Sequence, residues 1–314
     1  MAEFTVVITT YNRLAFLRRA VESVLAQTVP CELVVVDDCS TDGTEDYLKS
    51  LGDRIIYHRN AVNLGHAKSV NAGVEAATRG WIKALDDDDY LAENCIEKMT
   101  VAIALRPQAV ICSCQVIQVD QNKQELYRTQ PHGPGKAFYV PQEDIHYGML
   151  LDQVPFGTPV QVAFKKEAFL NSGGWDSSFN LNYDDIDSWV KIARYGDAVF
   201  LNDYLAYRTI WPGARNIKFS IEKRLETNII IKQKIYDLVN PLYHNQLEPF
   251  ESIKNYMALH WMLVCLKNRK FSDAWQVGSS GLFSLSGWQL LLKFIYHRKI
   301  KHKGKNIRQL VLIY

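Results

Sequence analysis

Apolar runs of two different periods alternate through the first hundred residues. Phe4 to Thr9 is short, unbroken and rich in β-branched side chains, which predicts a buried strand. Leu14, Leu17, Val21, Val24 and Leu25 then fall on one helical face, so 14–25 reads as an amphipathic helix. Leu33 to Val36 predicts a second buried strand, Thr41 to Leu51 a helix, Ile55 to Tyr57 a third strand and Ala67 to Ala77 another helix. Trp81 to Leu85 predicts a fourth strand, which runs straight into Asp86, Asp87, Asp88 and Asp89. Strands and helices in turn imply an α/β protein, with a mostly parallel sheet flanked by helices on both faces. Ligands of such sheets bind beyond the carboxyl ends of the strands, so chemistry is expected just after each strand.

The middle of the chain is less regular. Val110 to Val119 predicts a longer strand, 121–141 a polar connection rich in turn residues, and Val160 to Phe164 a strand before the Gly173–Gly174 turn. Ile186, Trp189, Val190, Ile192 and Ala193 mark the apolar side of a helix. Val199–Leu201 and Leu205–Tyr207 predict two short strands that finish the sheet. Beyond residue 215 the pattern turns helical, over 217–238 and 250–266. The expected division is therefore an α/β domain over 1–215 and a helical C-terminal extension over 216–314.

Composition adds few constraints. Hydrophobic residues at 47% and charged residues at 22% suit a folded globular chain and argue against general disorder. A net charge of +2 points to no nucleic-acid partner. Cys31, Cys39, Cys95, Cys112, Cys114 and Cys265 are scattered through apolar segments, as core thiols rather than a zinc site. The eight histidines show no ligand spacing and read as structural. No basic-then-apolar leader follows Met1, and no apolar run has the length of a membrane span. A cytoplasmic protein is expected. Charge becomes uneven only at the end: beyond Asp273 there is no acidic residue. There Lys293, Arg298, Lys299, Lys301, Lys303, Lys305 and Arg308 interleave with Trp288, Leu290, Leu291, Leu292, Phe294, Ile295 and Tyr296. That basic and aromatic tail predicts peripheral attachment to an anionic membrane surface, on the inner face of the cell membrane.

Four runs carry candidate chemistry. Asp86 to Asp89 is the strongest, because four adjacent carboxylates repel one another unless a hard divalent cation such as Mn2+ or Mg2+ is shared among them. In Val34 to Thr44, Asp37 and Asp38 end a strand where a carboxylate can accept from a base or ribose. In Val6 to Arg13, Thr9, Thr10 and Tyr11 follow the first strand, where Tyr11 is placed to stack on a nucleobase. In Asn63 to Gly73, a helix start backed by Lys68 favours phosphate.

In order and spacing these runs resemble glycosyltransferase family 2, over about the first two-thirds of the chain. The resemblance implies the GT-A fold, a Rossmann-like nucleotide-binding α/β domain. It implies that Thr9, Tyr11 and Asp38 bind the nucleoside and that Asp86 and Asp88 form the aspartate-x-aspartate motif. In it Asp88 is the expected metal ligand, assisted by Asp86, and Asp87 lies close to the ribose or metal. Ser172 to Phe179, with Trp175 and Asp176, resembles the acceptor-side loop, and Asn182 to Asp197 the glutamate-aspartate motif that opens a helix. Asp184 takes the glutamate position and Asp185 that of the catalytic base, which an acceptor hydroxyl needs to become a nucleophile. Two positions depart from the family. Val70 stands where an arginine is frequent, with Lys68 nearby, and Trp211 lies in the vicinity where many members have a histidine.

The function implied is inverting, metal-dependent transfer of a hexose or N-acetylhexosamine from a nucleotide-diphosphate sugar. UDP-sugar is the favoured donor. A lipid-diphosphate-linked sugar in bacterial surface polysaccharide (O-antigen) synthesis is the expected acceptor. Two alternatives use the same features. A sugar-nucleotide nucleotidyltransferase should show a glycine-rich loop after the first strand, which the run TTYNR lacks. A non-catalytic carbohydrate-binding assembly protein would not need both the Asp86–Asp89 cluster and Asp185.

Overall fold

The computed structural model describes residues 2–179, 183–213, 220–299 and 307–312, except the side chains of 294 and 296–299. The first elements follow the expected alternation: β1 (Phe4–Thr10), α1 (Leu14–Leu25), β2 (Glu32–Asp37), α2 (Thr44–Ser50), β3 (Ile56–Arg59), α3 (His66–Ala76) and β4 (Trp81–Asp86). β3, β2, β1 and β4 lie side by side and all run parallel. Every residue of β1 is buried, so a continuous apolar run is what both of its faces require. On one face Phe4, Val6 and Ile8 pack with Leu17, Val21 and Val24 of α1. Each side chain so buried contributes about 1.5–3 kcal/mol. Toward α3 the approach is closer still. A Cβ on Gly73 would run into Val7, so only glycine lets this helix lie down on β1.

The second half of the sheet is mixed. It contains β5 (Tyr90–Leu91), α4 (Cys95–Ala104), β6 (Ala109–Val119), β7 (Glu125–Arg128), β8 (Ala137–Val140), α5 (Gln142–Leu150), β9 (Val162–Lys165), α6 (Lys166–Asn171), α7 (Asp184–Ile192) and β10 (Asp197–Thr209). Among the described residues the strand order is β11-β8-β10-β6-β9-β4-β1-β2-β3, where β11 is Leu310–Val311, and β5 and β7 pair with β10 and β6. β6 and β10 are parallel, whereas β9 joins β4 and β6 antiparallel.

Three expectations are corrected here. The polar stretch 121–141 contains two strands, β7 and β8. β7 is exposed throughout and so carries no apolar signal. The two short strands expected over 199–207 are one strand, β10, whose register against β6 shifts between Phe200 and Tyr204 and again before Ala206. Such bulges interrupt the alternation without ending the strand. Helices α4, α5 and α6 have no counterpart in the expected order.

The chain forms two compact units. One comprises Met1–Ile145, Pro155–Ala214 and Gln309–Tyr314 and holds the sheet. The other, His146–Val154 with Arg215–Arg308, is helical: α8 (Ile221–Asp237), α9 (Phe250–Lys267), α10 (Phe271–Gly278) and α11 (Leu285–Lys299). It has its own core of Leu225, Met257, Leu259, Met262, Cys265, Val277 and Leu291. Part of the expected basic-aromatic tail belongs to that core, since Leu291 is buried in it and Trp288 packs against it, donating to the Leu282 carbonyl at 2.9 Å. Lys301, Lys303 and Lys305 lie outside the described residues. No described helix is long and apolar enough to cross a membrane.

Candidate active site

β1 and β4 are in register so that Thr9 faces Asp86, which sets the ends of both strands side by side. Beyond Asp86 the chain turns tightly, the Asp89 amide donating to the Asp86 carbonyl at 3.1 Å. The turn sorts the four carboxylates. Oxygens of Asp86, Asp88 and Asp89 lie within 4.8 Å of one another. Asp87 points elsewhere, accepting from the Thr10 hydroxyl at 2.8 Å and from Arg13 at 2.9 Å. Asp88 accepts from the Trp211 indole at 2.7 Å, with Arg13 at 3.6 Å. Asp89 accepts from the Thr209 amide at 2.8 Å. Arg19 joins the same elements, donating to the Asp88 carbonyl and the Thr209 hydroxyl, with its guanidinium 4.6 Å from the Tyr90 ring.

The charges report this crowding. Burial, only partly offset by Arg13, pushes Asp87 up to about 6. Burial and the Asp86 charge raise Asp88. Burial with the charges of Asp88 and Asp86 raises Asp89 well above the ordinary carboxylate range. Asp86 moves the other way: burial would raise it, but the hydrogen bond and charge of His66 outweigh that and lower it.

His66 was expected to be structural, and this is corrected. Its Nε2 lies 3.0 Å from Asp86 and its Nδ1 3.4 Å from Asp184, so the ring joins the end of β4 to the start of α7. Burial opposes charge on the ring, yet the bonds to Asp184 and Asp86 prevail and push His66 up to about 10. The ring therefore carries a proton at neutral pH. It sits at the first turn of a helix that follows a strand, the place where the topology already directs attention.

α7 opens with Asp184, Asp185 and Asp187 in its first turn, where exposed amides favour carboxylates. Asp184 accepts from the Asp185 amide at 3.2 Å, and Asp185 from the Ile186 amide at 2.8 Å. Burial and then the Asp184 charge push Asp185 up to about 7, the range of a general base near neutrality. Asp187 is fully buried and pairs with Lys191 at 2.9 Å, and Lys191 also reaches the Gly174 carbonyl. Trp175 is buried beside His66, the rings edge to face at 5.2 Å. Its backbone exchanges two hydrogen bonds with the Asn71 side chain on α3. Asp176 accepts from the Ser178 amide and shapes the following turn.

The remaining expected site residues stand apart from this cluster. Asp38 is buried, with its oxygens accepting from Asn60, the Leu64 amide and the Gly65 amide, each at 2.8 Å. Tyr11 is exposed at the end of β1, and Lys68 is exposed on α3 while Val70 is buried. Arg13 and Arg19 carry no role in the sequence reading, and Asp89 has one only as a member of the four-aspartate run; the turn geometry brings all three in.

Residues 5–172 match glycosyl transferase family 2, more than half of the chain. The chain belongs to that family. Similar family members include an uncharacterized glycosyltransferase of Rickettsia typhi, 29% identical over 206 residues, 64% of this chain and 62% of the relative. The succinoglycan biosynthesis protein ExoO of Rhizobium meliloti is 34% identical over 128 residues, 40% of this chain and 37% of ExoO. The chain thus spans about 62% of the length of the first two relatives. Among solved structures, S. aureus TarS in complex with UDP aligns with a TM-score of 0.58 at 19% identity, covering 92% of this chain and 77% of TarS. The mannosyltransferase PcManGT from Pyrobaculum calidifontis, in complex with GDP-Man and Mn2+, aligns at 0.59 and 19%, covering 96% and 81%. These likenesses show the GT-A fold of the family.

Proposed function

We propose that this protein transfers a sugar from a nucleotide-diphosphate sugar to an acceptor hydroxyl, inverting the anomeric centre. The observation that carries the reading is the meeting of two carboxylate groups across His66: Asp86 with Asp88 and Asp89 on one side, Asp184 with Asp185 on the other. The oxygen-only donor set of Asp86, Asp88 and Asp89 fits a hard divalent cation, because burial and mutual repulsion already raise Asp88 and Asp89. These three residues would hold Mn2+ or Mg2+, whose chemistry is to neutralise charge on a departing diphosphate.

Asp185 takes the proton of the acceptor hydroxyl as that oxygen attacks the anomeric carbon. The bond to the diphosphate oxygen breaks on the opposite face, the diphosphate leaves with the electron pair, and configuration inverts. His66 keeps the two carboxylate groups at a fixed separation, and Trp211 and Arg13 hold Asp88 toward the cluster. Thr9 and Tyr11 at the end of β1 flank the space for the nucleoside. A nucleotide-diphosphate sugar is the donor, TarS being seen with UDP and UDP-GlcNAc and PcManGT with GDP-Man, and the family resemblance favours a UDP-sugar. The acceptor is a lipid-diphosphate-linked sugar in bacterial surface polysaccharide synthesis, a reading supported by the names of ExoO and of the amylovoran biosynthesis glycosyltransferase AmsE of Erwinia amylovora. Such an acceptor places the protein peripherally on the inner membrane face.

The test is donor turnover by the purified protein with Mn2+, a panel of nucleotide sugars and sugar-diphosphate-lipid acceptors, with product detected by mass. Acceptor-dependent transfer from one donor, lost with EDTA or with Asp185→Asn, is expected. Nucleotide binding without transfer from any donor would move the protein to a binding role. A product that retains the donor configuration would overturn single displacement.

A further inference from the structure

The six most exposed large apolar side chains among the described residues are Phe283, Leu285, Leu242, Phe271, Trp275 and Leu292, and all belong to the helical unit. Phe271 is 68% and Trp275 67% exposed, which burial within the unit does not explain. They lie four residues apart and so share one edge of α10. The buried edge carries Ala274, Val277 and Gly278, the last pressed against Met262 of α9. Asp273, the acid of this helix, falls on the far edge, lining a polar cavity with Ser220, Glu222, Arg224 and Lys270.

Charge in the turn that precedes the two aromatics has one sign. Lys267, Arg269 and Lys270 are exposed in the turn between α9 and α10, directly before Phe271. From Lys267 to the end of the chain there are ten Lys or Arg residues and a single acid, Asp273. Aromatic side chains next to a cationic turn, on a helix too short and too polar to insert, match an interfacial contact with anionic headgroups.

We infer that the α9–α10 turn and the Phe271–Trp275 edge of α10 form the surface by which this protein docks on an anionic lipid bilayer. The inference rests on the membrane-linked acceptor proposed above and moves the contact away from the tail, whose Trp288 and Leu291 are occupied within the helical unit. Phe271 and Trp275 enter the headgroup region, while Lys267 and Arg269 pair with lipid phosphates at its surface.

The test is sedimentation of the full chain with vesicles of phosphatidylcholine alone or mixed with phosphatidylglycerol. Three variants are compared with the parent: Phe271→Ser with Trp275→Ser, Lys267→Gln with Arg269→Gln, and Lys301→Gln with Lys303→Gln and Lys305→Gln. The parent should bind only the anionic vesicles. The aromatic variant should lose about tenfold in binding, and the turn variant should bind more weakly with a flatter salt dependence. Transfer to a soluble acceptor, followed in parallel, should be the same in the aromatic variant as in the parent, which shows that the fold survives. Undiminished binding of the aromatic variant, with loss in the Lys301–Lys305 variant, would overturn this surface but keep membrane attachment. No binding by the parent would overturn both, while the soluble assay still reports on glycosyl transfer. A dimer that the aromatic variant converts to monomer, with vesicle binding intact, would make the face a contact between copies and overturn the inference.

Discussion

Two strand ends in the sheet unit look alike in sequence and are opposite in structure. β2 ends at Asp37 with Asp38 following, and β4 ends at Asp86 with three more aspartates following. At the first, every carboxylate is matched by a donor. Asp37 takes Arg59 at 2.9 Å, Tyr57 and the Ser40 amide, and Asp38 takes Asn60 and two loop amides. At the second, Asp86, Asp88 and Asp89 face one another while Asp87 turns onto Thr10 and Arg13, and burial pushes Asp87, Asp88 and Asp89 toward the protonated form even though each accepts from a donor. A carboxylate surrounded by donors braces the chain, whereas one surrounded by carboxylates is held ready for a cation or a proton. The same residue type at the same place in the topology thus serves two ends, and only its neighbours say which.

The sharpest way to break this comparison is Asp185→Asn. It should lower kcat by about 10³-fold through loss of the general base, with an unchanged melting curve, read by steady-state kinetics and circular dichroism. Asp38→Ala should show the reverse pattern. Removing a buried carboxylate that accepts three hydrogen bonds should cost about 3 kcal/mol of stability, measured by urea denaturation. A wild-type denaturation midpoint in Asp38→Ala would mean that β2 ends in a site and not a brace.

Smaller effects refine it. Burial and the Asp184 charge push Asp185 up to about 7, and the base role proposed for it requires the deprotonated form. kcat should therefore be level above that pH and fall roughly tenfold per unit below it, in a pH–rate profile. Trp211→Phe removes one donor from Asp88. It should weaken Mn2+ affinity by about tenfold, in calorimetric titration, with kcat restored at saturating metal. Asp88→Asn is expected to melt roughly 2 °C higher than the parent in EDTA. The sign follows from the raised Asp88: its protonated form is favoured by folding, so the stability it brings is present at low pH and lost as pH rises through the folded value. At neutral pH the charge is a cost that asparagine removes. A lower melting point in EDTA would show that the cluster is braced like the end of β2.

Legibility followed burial. β1, β2, β4 and α1 were readable because each is packed on one or both faces, so apolar periodicity and environment coincide. β7 was not, because exposed edge residues such as Glu125 and Arg128 carry no such pattern. β10 was broken in two where its register against β6 shifts between Phe200 and Tyr204, so the side-chain alternation lapses within one strand. Within the site, the run Asp86 to Asp89 announced itself by residue type and position, whereas Asp185 stood out only through the family resemblance. His66 did not, since its partners lie 20 and 118 residues away.

By itself the sequence determined the family, the parallel strands and the expectation that carboxylates gather at their ends, because those properties depend on local periodicity and on residue order. The tertiary structure alone decided that Asp87 turns onto Thr10 and Arg13, that Asp89 joins Asp86 and Asp88, and that His66 spans to Asp184. It likewise decided that Asp38 accepts from Asn60 and from the Leu64 and Gly65 amides. The physical reason is that a carboxylate's role is set by the charges and donors within a few ångströms, and at this site those arrive from β1, α1, α3, α7 and β10, segments that only folding brings together.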